Sequence, residues 1–179
     1  MPGGNACTGM SDQLPESWLR GVTPDADPVV SHLLRASQQI REDIERALKP
    51  LSTAQLWAMP EEMTSAGFHA KHLAGSTERL CTYLEGRQLT PQQLAAIAGE
   101  RAGAEPPTEL IARVHAAFDR YDRIVSQLTP QDFGAIREVG RKRLQTTAIG
   151  LAIHIAEHGQ RHVGQAIGAA KLAQATLPS

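Results

Sequence analysis

The chain has little cysteine: Cys7 and Cys81 stand far apart in 179 residues, which excludes a disulfide framework. It also lacks any continuous apolar run long enough to cross a bilayer, so a membrane-spanning helix is excluded. The opening stretch MPGGNACTGMSDQ carries neither Lys nor Arg and has no apolar core, unlike a secretory signal, and a cytoplasmic address is the expectation. Charge of one sign is missing too. Eighteen basic and 19 acidic residues sum to a net charge of -1 and form no long run of either sign. Neither nucleic acid nor a membrane surface is therefore an expected partner, which leaves a small molecule. No stretch alternates apolar and polar residues between turn signals, and no internal repeat of solenoid type is present, which argues against a sheet protein and against an array.

What is there is helical. A hydrophobic content of 41% over this length suits one compact domain with a core. Residues 1–17, with Gly, Ser and Pro breakers, are expected to form a mobile tail, and a single domain to cover 18–173, with Trp18 to Asp27 as an extended lead-in. Asp27-Pro28 reads as a cap followed by proline in the first turn, and Leu33, Leu34, Ser37, Ile40, Ile44 and Leu48 recur at helical spacing up to Pro50. A short helical turn is expected at Ser52 to Trp57. Ser65 then caps a second long helix that ends at Gly86. Thr90-Pro91 opens a brief segment, and RAGAEPP reads as a linker. Leu110, Val114, Ala117, Phe118, Tyr121, Val125 and Leu128 mark a third long helix. VGRKRLQTT reads as an irregular basic connection to a last long helix over about Thr147 to Ala173, with Ile149, Ala152, Ile153, Ala156, Val163, Ile167 and Ala170 on one face. Four long amphipathic helices predict an all-α four-helix bundle.

Five of the seven histidines fall into two groups, His69/His72 on the second long helix and His154/His158/His162 on the last. Residues four apart on a helix are neighbours, about 5–6 Å between Cβ atoms, so an H-x-x-x-H pair can present two imidazoles to one metal ion. His154 and His162 are separated by about 12 Å of helix rise, so all three cannot share one ion. On a wheel of roughly 100° per residue, Ile149, Ile153, Val163 and Ile167 define the apolar face of the last helix. His162 lies nearest its edge, His158 next and His154 farthest round, which favours the pair His158/His162.

The same letters also spell H-x-x-E-H, His154 to His158 with Glu157 as a would-be general base, the inverted zinc-protease motif. The wheel puts His154 and Glu157 on the polar side, and an all-helical chain offers no sheet to hold an extended peptide. A bare H-x-x-x-H pair most often decorates a surface, so a third ligand is needed. On the second helix His69 sits near the centre of the side formed by Leu73, Leu80 and Leu84, and His72 on its flank. Periodicity leaves the two open.

GFHAKHLAGSTERL on the second helix, together with H-G-Q-R-H-V-G-Q on the last, resembles the DinB-like (YfiT-type) metalloprotein superfamily, four-helix bundles with a three-histidine metal site. The likeness runs from about Trp18 to Leu172 and includes the GRKRL connection. Residue by residue it implies His72, His158 and His162 as metal ligands, with His69 and His154 as neighbours of no assigned role. Histidine-rich sites suit Zn, Ni, Cu or Fe, with Zn or Ni the leading expectation, and the resemblance suggests a homodimer as the assembly. Better understood relatives activate low-molecular-weight thiols, as S-transferases or thiol-dependent isomerases. That makes a metal-dependent thiol transferase the leading expectation, with a hydrolase or a non-catalytic metal-binding stress-response protein as alternatives.

Three neutral imidazoles leave the ion's charge uncompensated and a coordination position open, the arrangement of a reactive site. Cys81, two and a half turns beyond His72, reads as a small core residue, so a nucleophile would come from the cosubstrate. Arg141, Lys142 and Arg143 in the connection, and Arg79 or Arg161 near the ligands, are candidate anchors for substrate carboxylates. Glu78 and Glu157 are candidates for a general acid or base by proximity along their helices.

Overall fold

The computed structural model describes residues 14–177. Its elements are α1 (Pro28–Leu48), α2 (Thr53–Trp57), α3 (Ala66–Leu84), α4 (Pro91–Ala96), α5 (Pro107–Val125), β1 (Ile136–Val139), β2 (Leu144–Thr147) and α6 (Ala148–Thr176), with short 3-10 turns at Ser17–Leu19, Pro60–Glu62 and Ile97–Gly99. Most of the expected tail, with Cys7, lies outside the described residues. Ser17 is fully buried, its amide donating to Gln39 Oε1 at 2.7 Å and its hydroxyl to Gln38 Oε1 at 3.0 Å. The end of the expected tail is thus fastened to α1, and so is the lead-in, through Arg20 paired with Glu42 at 2.6 Å.

Local chemistry accounts for the helix starts. Asp27 accepts from the Val29 amide at 2.8 Å with Pro28 in the first turn. Ser65 accepts from the Phe68 amide at 3.1 Å, and Thr147 from the Gly150 amide at 3.1 Å. Ser52 and Thr90 each form a reciprocal capping box with a glutamine three residues on. No side chain caps α5, but Pro107 in its first turn has no N–H to leave unsatisfied.

α1 and α3 each pack against both α5 and α6, so the order around the bundle is α1, α5, α3, α6. The interior is filled by Ile40, Ile44 and Leu48 of α1, Leu73 and Leu84 of α3, Phe118 and Tyr121 of α5, and Ile155 and Val163 of α6. The Tyr121 hydroxyl donates to the Ala152 carbonyl at 3.0 Å, which satisfies a buried polar group between α5 and α6.

Two features differ from expectation. On α6, Ala152, Ala156, Val163 and Ala170 of the expected face are buried, but Leu151, Ile155 and Gly159 are buried with them while Ile153 is 41% exposed. The face is turned slightly from the one that Ile149, Ile153 and Ile167 define, and the helix comes close to its neighbours at Gly159. At Gly159 a Cβ would stand 2.5 Å from Ile40 Cδ1 and 3.2 Å from Phe118 Cζ. The basic connection is a β-hairpin, antiparallel from Ile136↔Thr147 to Val139↔Leu144, with Gly140 at φ +73° opening its turn. Its strands are only four residues long, too short for a sustained apolar–polar alternation. Arg137 holds the hairpin down by donating to the Leu84 carbonyl at 2.6 Å, at the negative end of α3. Among the described residues no helix is long and apolar enough to cross a membrane.

Candidate metal centre

Where α3 lies against α6, His72 from one helix meets His158 and His162 from the other. Each offers one ring nitrogen, and these three atoms lie within 4.8 Å of one another. Ring centroids are 4.6 Å apart for His72 and His162, 4.5 Å for His158 and His162, and 5.4 Å for His72 and His158. The four-residue spacing on α6 supplies two of the rings and the helix crossing supplies the third. His154 is exposed, its ring 5.8 Å from that of His158, and it stands outside the trio together with the exposed Glu157.

The other ring nitrogens tell which atoms remain free. His72 Nδ1 lies 2.7 Å from Glu100 Oε2. An ionised carboxylate only accepts, so Nδ1 carries the proton and Nε2 keeps its lone pair. His162 Nδ1 is 3.1 Å from His69 Nδ1, which again leaves Nε2 available. His158 Nε2 is buried with no hydrogen-bond partner, an arrangement that normally calls for an unseen partner.

Protonation favours the same use. Burial, followed by the proximity of His72 and His154, pushes His158 down to about 4. Burial and then His158, His72 and His69 push His162 down to about 3. Both rings are neutral at pH 7, the form that ligates a cation. The donor set therefore fits a divalent transition metal: three imidazoles from two rigid helices, with one buried nitrogen otherwise orphaned.

Around the trio, Phe68 stacks on His72 with ring centroids 5.5 Å apart and planes at 16°, and Arg101 covers Phe68 at 5.9 Å. A groove of about 610 Å³ opens beside His69, lined among others by Met63, Arg161 and Gln165. His69 itself is buried, and it ties down His162 rather than joining the trio.

Other candidate residues fall elsewhere. Arg79 is engaged by Glu100 at 2.6 Å, while Arg161 is exposed at the groove. Arg141, Lys142 and Arg143 occupy the exposed hairpin turn, where Arg143 pairs with Glu138 at 3.0 Å. Glu78 and Glu157 are exposed, and neither carboxylate bonds a histidine among the described residues. Cys81 is fully buried, and burial pushes its thiol up to about 12, so it supplies no thiolate. The carboxylate at the site is Glu100, which no motif or spacing in the sequence announces. Burial alone would raise its pKa, but the hydrogen bonds from His72 and Arg79 outweigh that and hold it below the usual range.

A family model described as the DinB superfamily matches residues 36–166, from within α1 to beyond His162 on α6. The chain belongs to the DinB superfamily. The matched span contains all of α3 and α6 as far as Ala166, so the three histidines that can hold a metal lie within the DinB part of the chain. No curated protein matches the sequence.

Proposed function

We propose that this DinB-superfamily protein is a metal-dependent enzyme of the thiol S-transferase type, in which His72, His158 and His162 hold one Zn or Ni ion and a low-molecular-weight thiol is cosubstrate. The single observation that carries the reading is the convergence of one ring nitrogen each from His72, His158 and His162 within 4.8 Å of one another. A bound divalent ion would supply Lewis acidity, favouring the deprotonated form of a thiol at its open position. The protein's own residues keep His158 and His162 neutral by burial, fix His72 and His162 through Glu100 and His69, and leave the nucleophile to the cosubstrate because Cys81 is shut in the core. The groove beside His69 has room for a small molecule, and the exposed Arg161 at its edge suits an anionic group.

A second reading, a metal-binding protein without a reaction, is favoured by one observation. No uncommitted carboxylate stands at the trio among the described residues, since Glu100 already accepts from two partners. Metal-loaded protein incubated with a panel of low-molecular-weight thiols and monochlorobimane separates the two. Thiol-dependent turnover that disappears in His158→Ala supports the transferase, and turnover indifferent to that change refutes it. Less than about a tenth of an equivalent of metal, after purification and after titration with Zn or Ni, would sink both readings.

A further inference from the structure

We infer that Glu100 is a positioning residue for the metal centre: its carboxylate sets the tautomer and orientation of His72, and the connector between α4 and α5 is docked so as to deliver it. The inference rests on the reading of His72 as a ligand. Glu100 comes from just beyond the turn at Ile97–Gly99, 28 residues from His72, yet it is only 5% exposed. Both of its oxygens are committed. Oε1 accepts from the Arg79 guanidinium at 2.6 Å, and Oε2 accepts from His72 Nδ1 at 2.7 Å.

The rest of the connector is stitched to the start of α3 and to α2. Lys71 donates to the Ala102 carbonyl at 3.0 Å and pairs with Glu105 at 2.8 Å, and Trp57 Nε1 donates to the Glu105 carbonyl at 3.0 Å. Two glycines leave the space that this requires. A Cβ on Gly75 would stand 2.5 Å from Glu100 Oε1 and 3.0 Å from an Arg79 nitrogen, and one on Gly103 would stand 2.4 Å from Trp57 Cζ2.

A carboxylate has only acceptors, so it serves Arg79 and His72 at once and keeps the His72 proton on Nδ1. The Nε2 lone pair is then directed away from Glu100, as in carboxylate–histidine–metal arrangements generally. Glu100→Gln breaks this logic with almost no change of shape. The amide has one oxygen, which the charged Arg79 retains as the stronger donor, and it turns an N–H toward His72. Nδ1 must then accept, the proton moves to Nε2, and the ligating lone pair is lost.

The test has two readouts, on full-length protein checked for folding by circular dichroism. Long-range proton–nitrogen NMR of the metal-free protein reports the His72 tautomer without reference to any metal. Competition with a chromogenic chelator reports Zn affinity. Wild type should show the Nδ1–H form and Glu100→Gln the Nε2–H form, with Zn affinity falling by about 10- to 100-fold. Gly75→Ala, which removes no charge but displaces the carboxylate, should mix the tautomers and weaken Zn binding in the same direction.

An unchanged tautomer together with affinity within about threefold of wild type in both variants overturns the inference, whatever happens to the melting temperature. Should wild type bind no Zn while its tautomer still switches in Glu100→Gln, the metal reading fails and the positioning of His72 by Glu100 stands.

Discussion

Gly159 separates His158 from His162 and lies on the buried face of α6, so Gly159→Ala tests how closely that helix is pressed into the bundle. Taken alone, the change should help, because alanine is preferred to glycine inside a helix by about 1 kcal/mol. Against this, the new methyl would lie 2.5 Å from Ile40 Cδ1 and 3.2 Å from Phe118 Cζ, where carbon atoms prefer about 3.5–4.0 Å. Ile40 is 0% exposed, so its terminal methyl has no empty space to enter, and overpacking of this kind costs about 1–3 kcal/mol. The net expectation is a loss of about 1 kcal/mol, or about 2–4 °C in Tm for a domain of this size.

Ile40→Val removes the atom that the new methyl strikes, and by itself costs about 0.5–1.5 kcal/mol. In that background Gly159→Ala should become neutral or stabilising, a coupling of about 1 kcal/mol or more. Urea denaturation of the four metal-free proteins of this cycle measures it. If Gly159→Ala stabilises by about the same amount with Ile40 as with Val at position 40, α6 is not held against α1 as described here, and the placement of His158 and His162 loses its support.

Other perturbations read other parts of the molecule. His158 and His162, ordinarily near 6.5, are pushed down to about 4 and about 3 in the fold. Between about pH 3 and 6.5 the unfolded chain therefore binds more protons than the native one, and stability rises with pH through that window. Metal-free protein should lose stability as pH falls from 6.5, and a flat urea midpoint between pH 6.5 and 5 would contradict the burial of these rings; His158→Gln/His162→Gln should flatten the curve. Tyr121→Phe deletes the buried hydroxyl that donates to the Ala152 carbonyl and should cost about 1 kcal/mol; a higher Tm would show that the bond contributes nothing. His154→Ala should retain Zn after dialysis while His158→Ala and His162→Ala release it, and release by His154→Ala with retention by His162→Ala would refute the ligand pair.

Much of the helical framework is legible along the chain because its signals act over a few residues. Asp27-Pro28, Ser65, Thr90-Pro91 and Thr147 each satisfy amides one turn ahead, and helices begin at each of them. The hairpin at 136–147 is not legible, since what holds it is a bond from Arg137 to the far end of α3. The face of α6 is legible at Ala152, Ala156, Val163 and Ala170 but not at Ile153, because the close approach at Gly159 to Ile40 and Phe118 leaves no mark in hydrophobicity.

For the site the division is sharper. Sequence alone determined that His158 and His162 share a helix face, because four residues are one turn of an α-helix and nothing distant alters that. It did not choose between His69 and His72. Resemblance to the DinB superfamily pointed to His72; the structure adds that His72 joins the trio while His69 bonds the back of His162. Only the tertiary structure brought in Glu100 and Arg79. Their meeting with His72 depends on a connector folded back through Trp57, Lys71 and two glycines, contacts between residues too far apart in the chain to leave a local pattern.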